Sequence, residues 1–209
     1  MEADVLKLPG TQMPYVETYP VTTENCRPLA DWLLSKHVAR WMDYGNGKQD
    51  ISELQLSMIL ISQRNYARLF RIPGESEPLG IFCLNSVDNA MNHAEVWAAR
   101  NHLNRQRRSG SYRHATASAA VQILADGFLD LNLKVISSWA VECNRNSIQL
   151  HDAVGMRQTG ILRKRHVIDG KRYNRICYDI TLEEFGERYP DVVSGKKNTY
   201  RNSYRNQTQ

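Results

Sequence analysis

Apolar residues in this chain recur every three or four positions in some segments and in short β-branched runs in others. Helical spacing covers Asn25–Tyr44, a segment from Asp50 to about Ser62 that Ser52 caps, and a long stretch after Gly110 that reaches Leu131. Asn132 is suited to the left-handed turn that ends the long helix. Gly155 is expected to end a shorter helix after a capping cluster that begins at Asn144.

Strand-like runs alternate with these helices. They cover 16–21, 66–72, 79–85, 94–100, 134–143, 161–168 and 171–180. The last two flank Asp169-Gly170, a strong hairpin signal. The run 134–143 is apolar on both faces, as in a central strand. The order predicts an α/β fold, a mixed sheet flanked by helices.

Composition and termini limit the domain organisation. The chain has 209 residues, 42% hydrophobic and 23% charged, with a net charge of +5, which fits one soluble domain. We expect a flexible N-terminus over 1–14, a single domain over 15–189 and a basic, disordered tail over 190–209. The four cysteines form no metal-type pair, so we expect no metal and a reducing compartment. The sequence shows no signal peptide or membrane span, which favours the cytoplasm.

The segment before the long helix is unusual because it lacks acidic residues. None occurs between Glu95 and Asp126, while Arg105, Arg107 and Arg108 precede Ser109-Gly110-Ser111. A helix start with free backbone N–H groups and nearby guanidinium groups suits a phosphate or pyrophosphate. The alternative, a solvated basic loop ahead of a core helix, stays open.

The order of these segments resembles the GNAT acyltransferase superfamily. The resemblance spans about 16–185 and rests on AEVWAAR, the Arg-and-Gly loop, KVISSWAVECN, NRNSIQLHDAVGM and the final hairpin. The chain is most similar to the branch of ribosomal-protein N-terminal and amino-sugar acetyltransferases. That family's donor loop runs Gln or Arg, two residues, Gly, one residue, Gly or Ala. Arg105 and Gly110 match its ends with Arg108 at the first glycine, whereas a second register uses Gln106, Ser109 and Ser111.

The resemblance implies how a coenzyme A thioester, acetyl-CoA or another acyl-CoA, would bind. In this fold the strand containing AEVWAAR splays from the next, and its backbone at Val96, Trp97 and Ala98 would bind the pantetheine arm. The amides of 107–111 would hold the pyrophosphate, with Arg105, Arg107 and Arg108 neutralising it. The family's Asn often touches the arm, which implies a role for Asn144. Ser147 completes that motif, although helix capping explains both residues without a ligand.

Two residues are candidates for proton transfer. Glu95 alternates with Trp97 on one strand face, and a carboxylate beside an indole could accept the proton of an amine. His151 lies where many relatives carry a tyrosine near the thiol, so it is the candidate proton donor to sulfur. A surface or ion-paired glutamate and a half-buried structural histidine are the alternatives. Trp32, Trp41 and Trp139 fall on apolar faces and are interpreted as core.

The predicted function is N-acyl transfer from coenzyme A to a primary amine of a small molecule such as an amino sugar, or of a protein N-terminus. An acyl carrier protein donor and a non-catalytic RNA- or ribosome-binding module are the alternatives. The sequence contains no familiar RNA-binding motif, which makes nucleic acid the weaker expectation. The acceptor, the acyl chain length and the oligomeric state stay open.

Overall fold

The computed structural model describes residues 7–104 and 114–194, in which seven strands form one sheet in the order β1-β2-β3-β4-β5-β7-β6. The strands are β1 Glu17–Pro20, β2 Tyr66–Arg71, β3 Gly80–Asp88, β4 His93–Arg100, β5 Val135–Val141, β6 Arg157–Ile168 and β7 Lys171–Thr181. Only β4 and β5 pair in parallel; the other neighbours are antiparallel. The predicted mixed, helix-flanked sheet is confirmed.

Helices cover both faces of the sheet. They are α1 Thr23–Leu33, α2 Lys36–Ala39, α3 Glu53–Leu60, α4 Ala115–Ala125, α5 Arg145–Val154, α6 Leu182–Arg188 and α7 Pro190–Val193. One core packs α1, α2 and α3 on the sheet around residues such as Leu33 and Ile81. The other packs α4, α5 and α6 around Ile136 and Phe185. The two apolar layers bury opposite faces of the same strands.

Local sequence signals set most helix ends. The side chains of Thr22 and Ser52 accept the backbone N–H of the third residue of α1 and α3, and each forms a capping box. Gly155 ends α5 with φ 86°, and Asn132 is left-handed with φ 55°, both as predicted. At the β6–β7 turn Asp169 and Gly170 both have positive φ, as the type I′ turn of a two-residue hairpin requires.

Two helix predictions need correction. The expected helix over 25–44 is broken, because Ser35 begins a separate short helix and its hydroxyl donates to the Trp32 carbonyl oxygen at 2.7 Å. The long helix ends as α-helix at Ala125 and continues as a π-turn over Asp126–Asp130, which apolar spacing does not reveal.

Described residues on both sides of 15–189 also pack against the body. Leu8 and Val192 are both buried in the core around α4 and α6, and a bridge joins Lys7 to Pro14. The sequence pattern did not predict α6 and α7. Residues 1–6 and most of the expected tail lie outside the described residues. No helix in the described part of the chain is long and apolar enough to cross a membrane.

The join between β4 and β5 is short. Backbone pairing runs from His93–Val135 to Glu95–Ser137, three residue pairs in all. β4 then continues to Arg100 beside β3, and β5 continues to Val141 beside β7, so the two strands diverge. This divergence is the splay expected from the resemblance, and it opens the sheet at Val96.

Candidate active site

A cavity of about 680 Å³ occupies the splay between β4 and β5. One half is lined from α2 and the segment after it, by residues that include His37, Val38, Trp41, Met42 and Asp43. The other half is lined from α4 and α5, by residues that include Ala117, Ala120, Asn144, Ser147 and His151. Because α2 and α4 belong to cores on opposite faces, the cavity passes through the sheet. It can therefore admit one reactant from each side.

Ser138 bridges the apex of the splay. Its hydroxyl donates to the Val96 carbonyl oxygen at 2.8 Å and so replaces the first strand hydrogen bond that the divergence removes. The N–H and C=O of one residue in a strand point to the same side, so the Val96 N–H also faces β5. In the parallel register the Glu95–Ser137 pair places the Val96 N–H on the Ser137 carbonyl oxygen, so both backbone polar groups of Val96 are engaged. Ala98, two residues further on, is the next residue of β4 whose backbone faces the slot, beyond the last pair.

His151 is buried behind Ser138. Its Nδ1 lies 2.7 Å from the Ser147 carbonyl oxygen and its Nε2 lies 2.9 Å from the Ser138 Oγ. A carbonyl oxygen only accepts, so Nδ1 carries the hydrogen of the neutral ring and Nε2 has a lone pair. The Ser138 hydroxyl has one hydrogen, so Nε2 and the Val96 carbonyl oxygen compete for it. The ring stacks on Tyr178 at 4.3 Å. Burial lowers the pKa of His151 below its usual range, which favours this neutral form.

Asn144 and Ser147 are explained by helix structure. The Asn144 side chain accepts the Ser147 N–H at 3.2 Å and caps α5. This is the capping alternative that the sequence offered, and both residues also line the cavity. Capping fixes the first turn of α5 against the end of β5. A ligand contact for Asn144 stays a prediction.

Glu95 lies in the cavity at the last paired position of β4. Burial raises the pKa of its carboxyl group above the usual range, and the indole N–H of Trp139, which hydrogen-bonds to the carboxylate, partly counteracts this. The charge of Arg175 and that of His93 also lower the pKa of Glu95, whereas that of Asp43 raises it. The result is a half-buried carboxylate with an elevated pKa, a suitable proton acceptor near neutral pH.

Asp43 also lines the cavity, but its charge is already paired. Its Oδ2 accepts a 2.7 Å bond from Arg175 Nη2, and its Oδ1 accepts the amides of Gly45 and Gly47 at 2.9 and 2.8 Å. Burial alone would raise the pKa of Asp43, but these hydrogen bonds outweigh it and lower the pKa. Asp43 is therefore an ionised structural group that anchors its loop to β7.

Aromatic side chains form much of the wall around Glu95. Trp41, Trp97 and Trp139 are half-buried and line the cavity, so the interpretation of Trp41 and Trp139 as core is wrong, whereas Trp32 is core at 3% exposure. The Arg175 guanidinium lies 3.9 Å above Trp139. That of Arg40 lies 5.2 Å from the Trp41 ring. A guanidinium group thus already occupies one face of two of these three indole rings.

The remaining predicted site residues fall into two groups. The backbone of Val96, Trp97 and Ala98 lines the cavity, as does His114 at the start of α4. The donor loop lies outside the described residues, which leaves the roles of Arg105, Arg107, Arg108, Ser109, Gly110 and Ser111 as predictions. The described residues contain no cluster of three potential metal ligands.

Sequence reasoning missed Ser138, Asp43, Arg175 and the exposed faces of two tryptophans. Ser138 carried a weak signal, because a serine pair interrupts an otherwise apolar central strand. Asp43 and Arg175 are 132 residues apart. The sequence carries no signal for their pairing, because it depends on how the loop after α2 crosses β7. The tryptophans have the spacing of core residues, and the cavity beside them exists only because the strands diverge.

Comparison with known proteins identifies the fold. No family model matches the chain. A 65-residue segment, 31% of the chain, is 34% identical to the SPbeta prophage-derived uncharacterized N-acetyltransferase YokL of Bacillus subtilis (strain 168), and it spans 37% of that relative's length. The spermidine N-acetyltransferase of Vibrio cholerae, solved with CoA and spermine, is similar over 81% of this chain and 97% of its own, with 12% identity and a TM-score of 0.68.

A second solved structure, a putative acetyltransferase, covers 85% of this chain and 89% of its own, with 16% identity and a TM-score of 0.63. At these identities the likeness establishes architecture. The seven-stranded sheet, its single parallel join and the splay at that join agree with it. These similarities do not distinguish the branch of ribosomal-protein and amino-sugar acetyltransferases from other branches with this fold. The chain therefore has the fold of the GNAT-type N-acetyltransferases.

Proposed function

We propose that the protein transfers an acetyl group from acetyl-coenzyme A to a primary amine of a small molecule. The observation that carries this proposal is the cavity that passes through the sheet at the β4–β5 splay, with the β4 backbone at Ala98 facing the slot and a half-buried carboxylate at Glu95. The similarity to N-acetyltransferases over most of the chain supports it.

The donor occupies the half of the cavity beside α4 and α5. Its pantetheine arm lies along Val96–Ala98, where β4 has lost its pairing with β5, and hydrogen-bonds to the strand as an added edge. The thioester carbonyl then lies near the first slot-facing N–H of β4 beyond the paired positions, that of Ala98, which polarises it as charge develops on oxygen. The start of α4 and the arginines of the donor loop neutralise the pyrophosphate.

The acceptor amine enters from the α2 side and meets the thioester at Glu95. Glu95 takes one proton from the ammonium, the amine nitrogen bonds to the carbonyl carbon, and the carbon–sulfur bond breaks. As the amide forms, its nitrogen releases a second proton, which the thiolate of coenzyme A takes up. The products are an acetamide and coenzyme A, with the first proton on Glu95. Holding both reactants at the splay contributes by proximity.

His151 acts in this scheme by position. Its Nε2 has a lone pair and no proton, because the Ser147 carbonyl oxygen holds the hydrogen on Nδ1. The imidazole thus orients the Ser138 hydroxyl at the apex, instead of donating directly to sulfur as the sequence suggested. Ser138 is the polar side chain that joins His151 to the slot.

A donor-binding and turnover experiment tests the proposed function. Saturating acetyl-CoA should raise the melting temperature of the protein, and a panel of primary amines should release free thiol from acetyl-CoA. Coenzyme A without the acetyl group should give a similar shift, because the arm and pyrophosphate supply most contacts. A protein that RNA stabilises and acetyl-CoA does not would contradict the proposal.

A further inference from the structure

The charges around the acceptor half of the cavity are nearly all paired. Among the described lining residues only Glu95 and Asp43 carry carboxylates. The charge of Asp43 is already paired with Arg175, and two backbone amides also bond to its carboxylate. An added cation therefore gains little there. Among the described lining residues, Glu95 is the carboxylate without a salt bridge, so it is the better partner for an ammonium group.

Part of the aromatic surface is already engaged with positive charge. A ring face attracts a cation within about 6 Å of its centroid, and one face of Trp139 and one face of Trp41 hold Arg175 and Arg40 at 3.9 and 5.2 Å. Both guanidinium groups are in turn paired with aspartates. The same walls suit uncharged groups, because indole edges and aliphatic side chains gain from burial of apolar surface.

The rest of the acceptor half is apolar. Val38, Met42 and Ala99 line it beside Trp97, and each of these three is less than 9% exposed. A polyhydroxylated body would leave hydroxyl groups against these side chains without hydrogen-bond partners, which is costly. The lining asparagines, Ser147 and Gln149 lie on α5, in the donor half.

From these contacts we infer that the acceptor is a monoamine with an apolar or aromatic body. Its one ammonium group lies at Glu95 and its body packs between α2 and Trp97. Polyamines and amino sugars are poor acceptors. This inference rests on the proposed function, and it adds a substrate class to that site.

Three primary amines of different body chemistry test the inference. With saturating acetyl-CoA, kcat/KM is measured by thiol release for 2-phenylethylamine, spermidine and glucosamine. We expect 2-phenylethylamine to exceed each of the others by about tenfold or more, because unpaired polar or charged groups in an apolar site are strongly rejected. Equal or better turnover of spermidine or glucosamine overturns the inference and leaves the proposed function intact. No thiol release with any amine, together with no stabilisation by acetyl-CoA, overturns both.

A charge-adding variant makes the test sharper. His37 is exposed and lines the cavity, so His37→Glu supplies a free carboxylate with little risk to the fold. It should raise the spermidine to 2-phenylethylamine ratio of kcat/KM about fivefold or more, as expected for a new ion pair near an apolar wall. Gln158→Glu, an equal charge change at an exposed position of β6 away from the cavity, should leave the ratio unchanged. An unchanged ratio in His37→Glu, or an equal rise in both variants, contradicts the inference.

Discussion

The two halves of the cavity recognise their reactants by different means. Beside α4 and α5 the groups available to a ligand are mostly backbone N–H groups and small polar side chains from neighbouring sequence positions. Beside α2 they are bulky side chains from α2, the segment after it, β4 and β5. Most of the charged groups there are paired with other groups of the protein. Backbone recognition tolerates sequence change, whereas side-chain recognition is specific to this chain. This difference explains why the fold is recognisable in a relative of only 12% identity. The acceptor depends on side chains that such a relative does not share.

The difference between the two halves of the cavity predicts that Glu95 affects the rate of the reaction strongly and the affinity for coenzyme A little. Glu95→Gln should lower kcat/KM about 100-fold or more, because general-base catalysis contributes on that scale. The dissociation constant of coenzyme A, measured by calorimetry, should stay within about twofold. Glu187→Gln, at an exposed position of α6, is the matched control and should behave as wild type. Wild-type turnover in Glu95→Gln would remove Glu95 from the mechanism.

Ser138 tests the opposite half. Ser138→Ala leaves the Val96 carbonyl oxygen and the buried His151 Nε2 without their hydroxyl partner, so the free energy of unfolding should fall by about 2 kcal/mol. Chemical denaturation measures this, and the KM for acetyl-CoA should change more than the KM for the amine. Ser137→Ala, whose hydroxyl lies 2.9 Å from His93 Nε2 nearer the surface, should cost less. An equal cost in the two variants would contradict the bridging role of Ser138.

Trp139 links the two kinds of recognition, because it belongs to β5 and donates its indole N–H to Glu95. Trp139→Phe keeps a ring beneath Arg175 and removes that donor. The pKa of Glu95 should rise further, so the acidic limb of the kcat/KM profile should move to higher pH and activity at pH 6 should fall about tenfold. Trp32→Phe in the core serves as the control. A loss of activity with an unmoved limb would indicate a structural role only.

Glu95 should also make stability depend on pH. Its pKa is raised by folding from 4.5, so the stability it provides is complete below pH 4.5 and is lost as pH rises through the folded-state pKa. Glu95→Gln cannot ionise and avoids this loss. The variant should therefore gain melting temperature relative to wild type between pH 4.5 and 7, as measured by calorimetry across that range. A constant difference would contradict the elevated pKa.

Asn144 gives the smallest expected effect and separates capping from ligand binding. Asn144→Ala should lower the free energy of unfolding by about 1 kcal/mol, whereas Asn144→Ser should restore it, since both Asn and Ser cap helices. If the side chain also touches the pantetheine arm, the KM for acetyl-CoA should stay raised in the serine variant. A wild-type KM in Asn144→Ser would assign Asn144 to the helix alone.

The sequence was enough to predict the structure where interactions between neighbouring residues determine it. Capping by Ser52 and Asn144, the end of α5 at Gly155 and the Asp169-Gly170 turn depend on neighbouring residues and were predicted correctly. The break between α1 and α2 was not, because one serine can continue a helix or begin another. Ring exposure at Trp41 and Trp139 depends on strand divergence, which apolar spacing does not encode. Ion pairs such as Asp43–Arg175 join segments whose proximity only the fold determines.

The short join between β4 and β5 has a consequence for inhibitor design. A single linear molecule, with a pantetheine-like arm at one end and an arylalkyl amide at the other, could thread the sheet from face to face. Its narrowest section would pass Ser138 and Glu95, where the strands separate after three residue pairs. Such a bisubstrate compound would gain affinity from both sides at once, and the protein's own geometry sets its length.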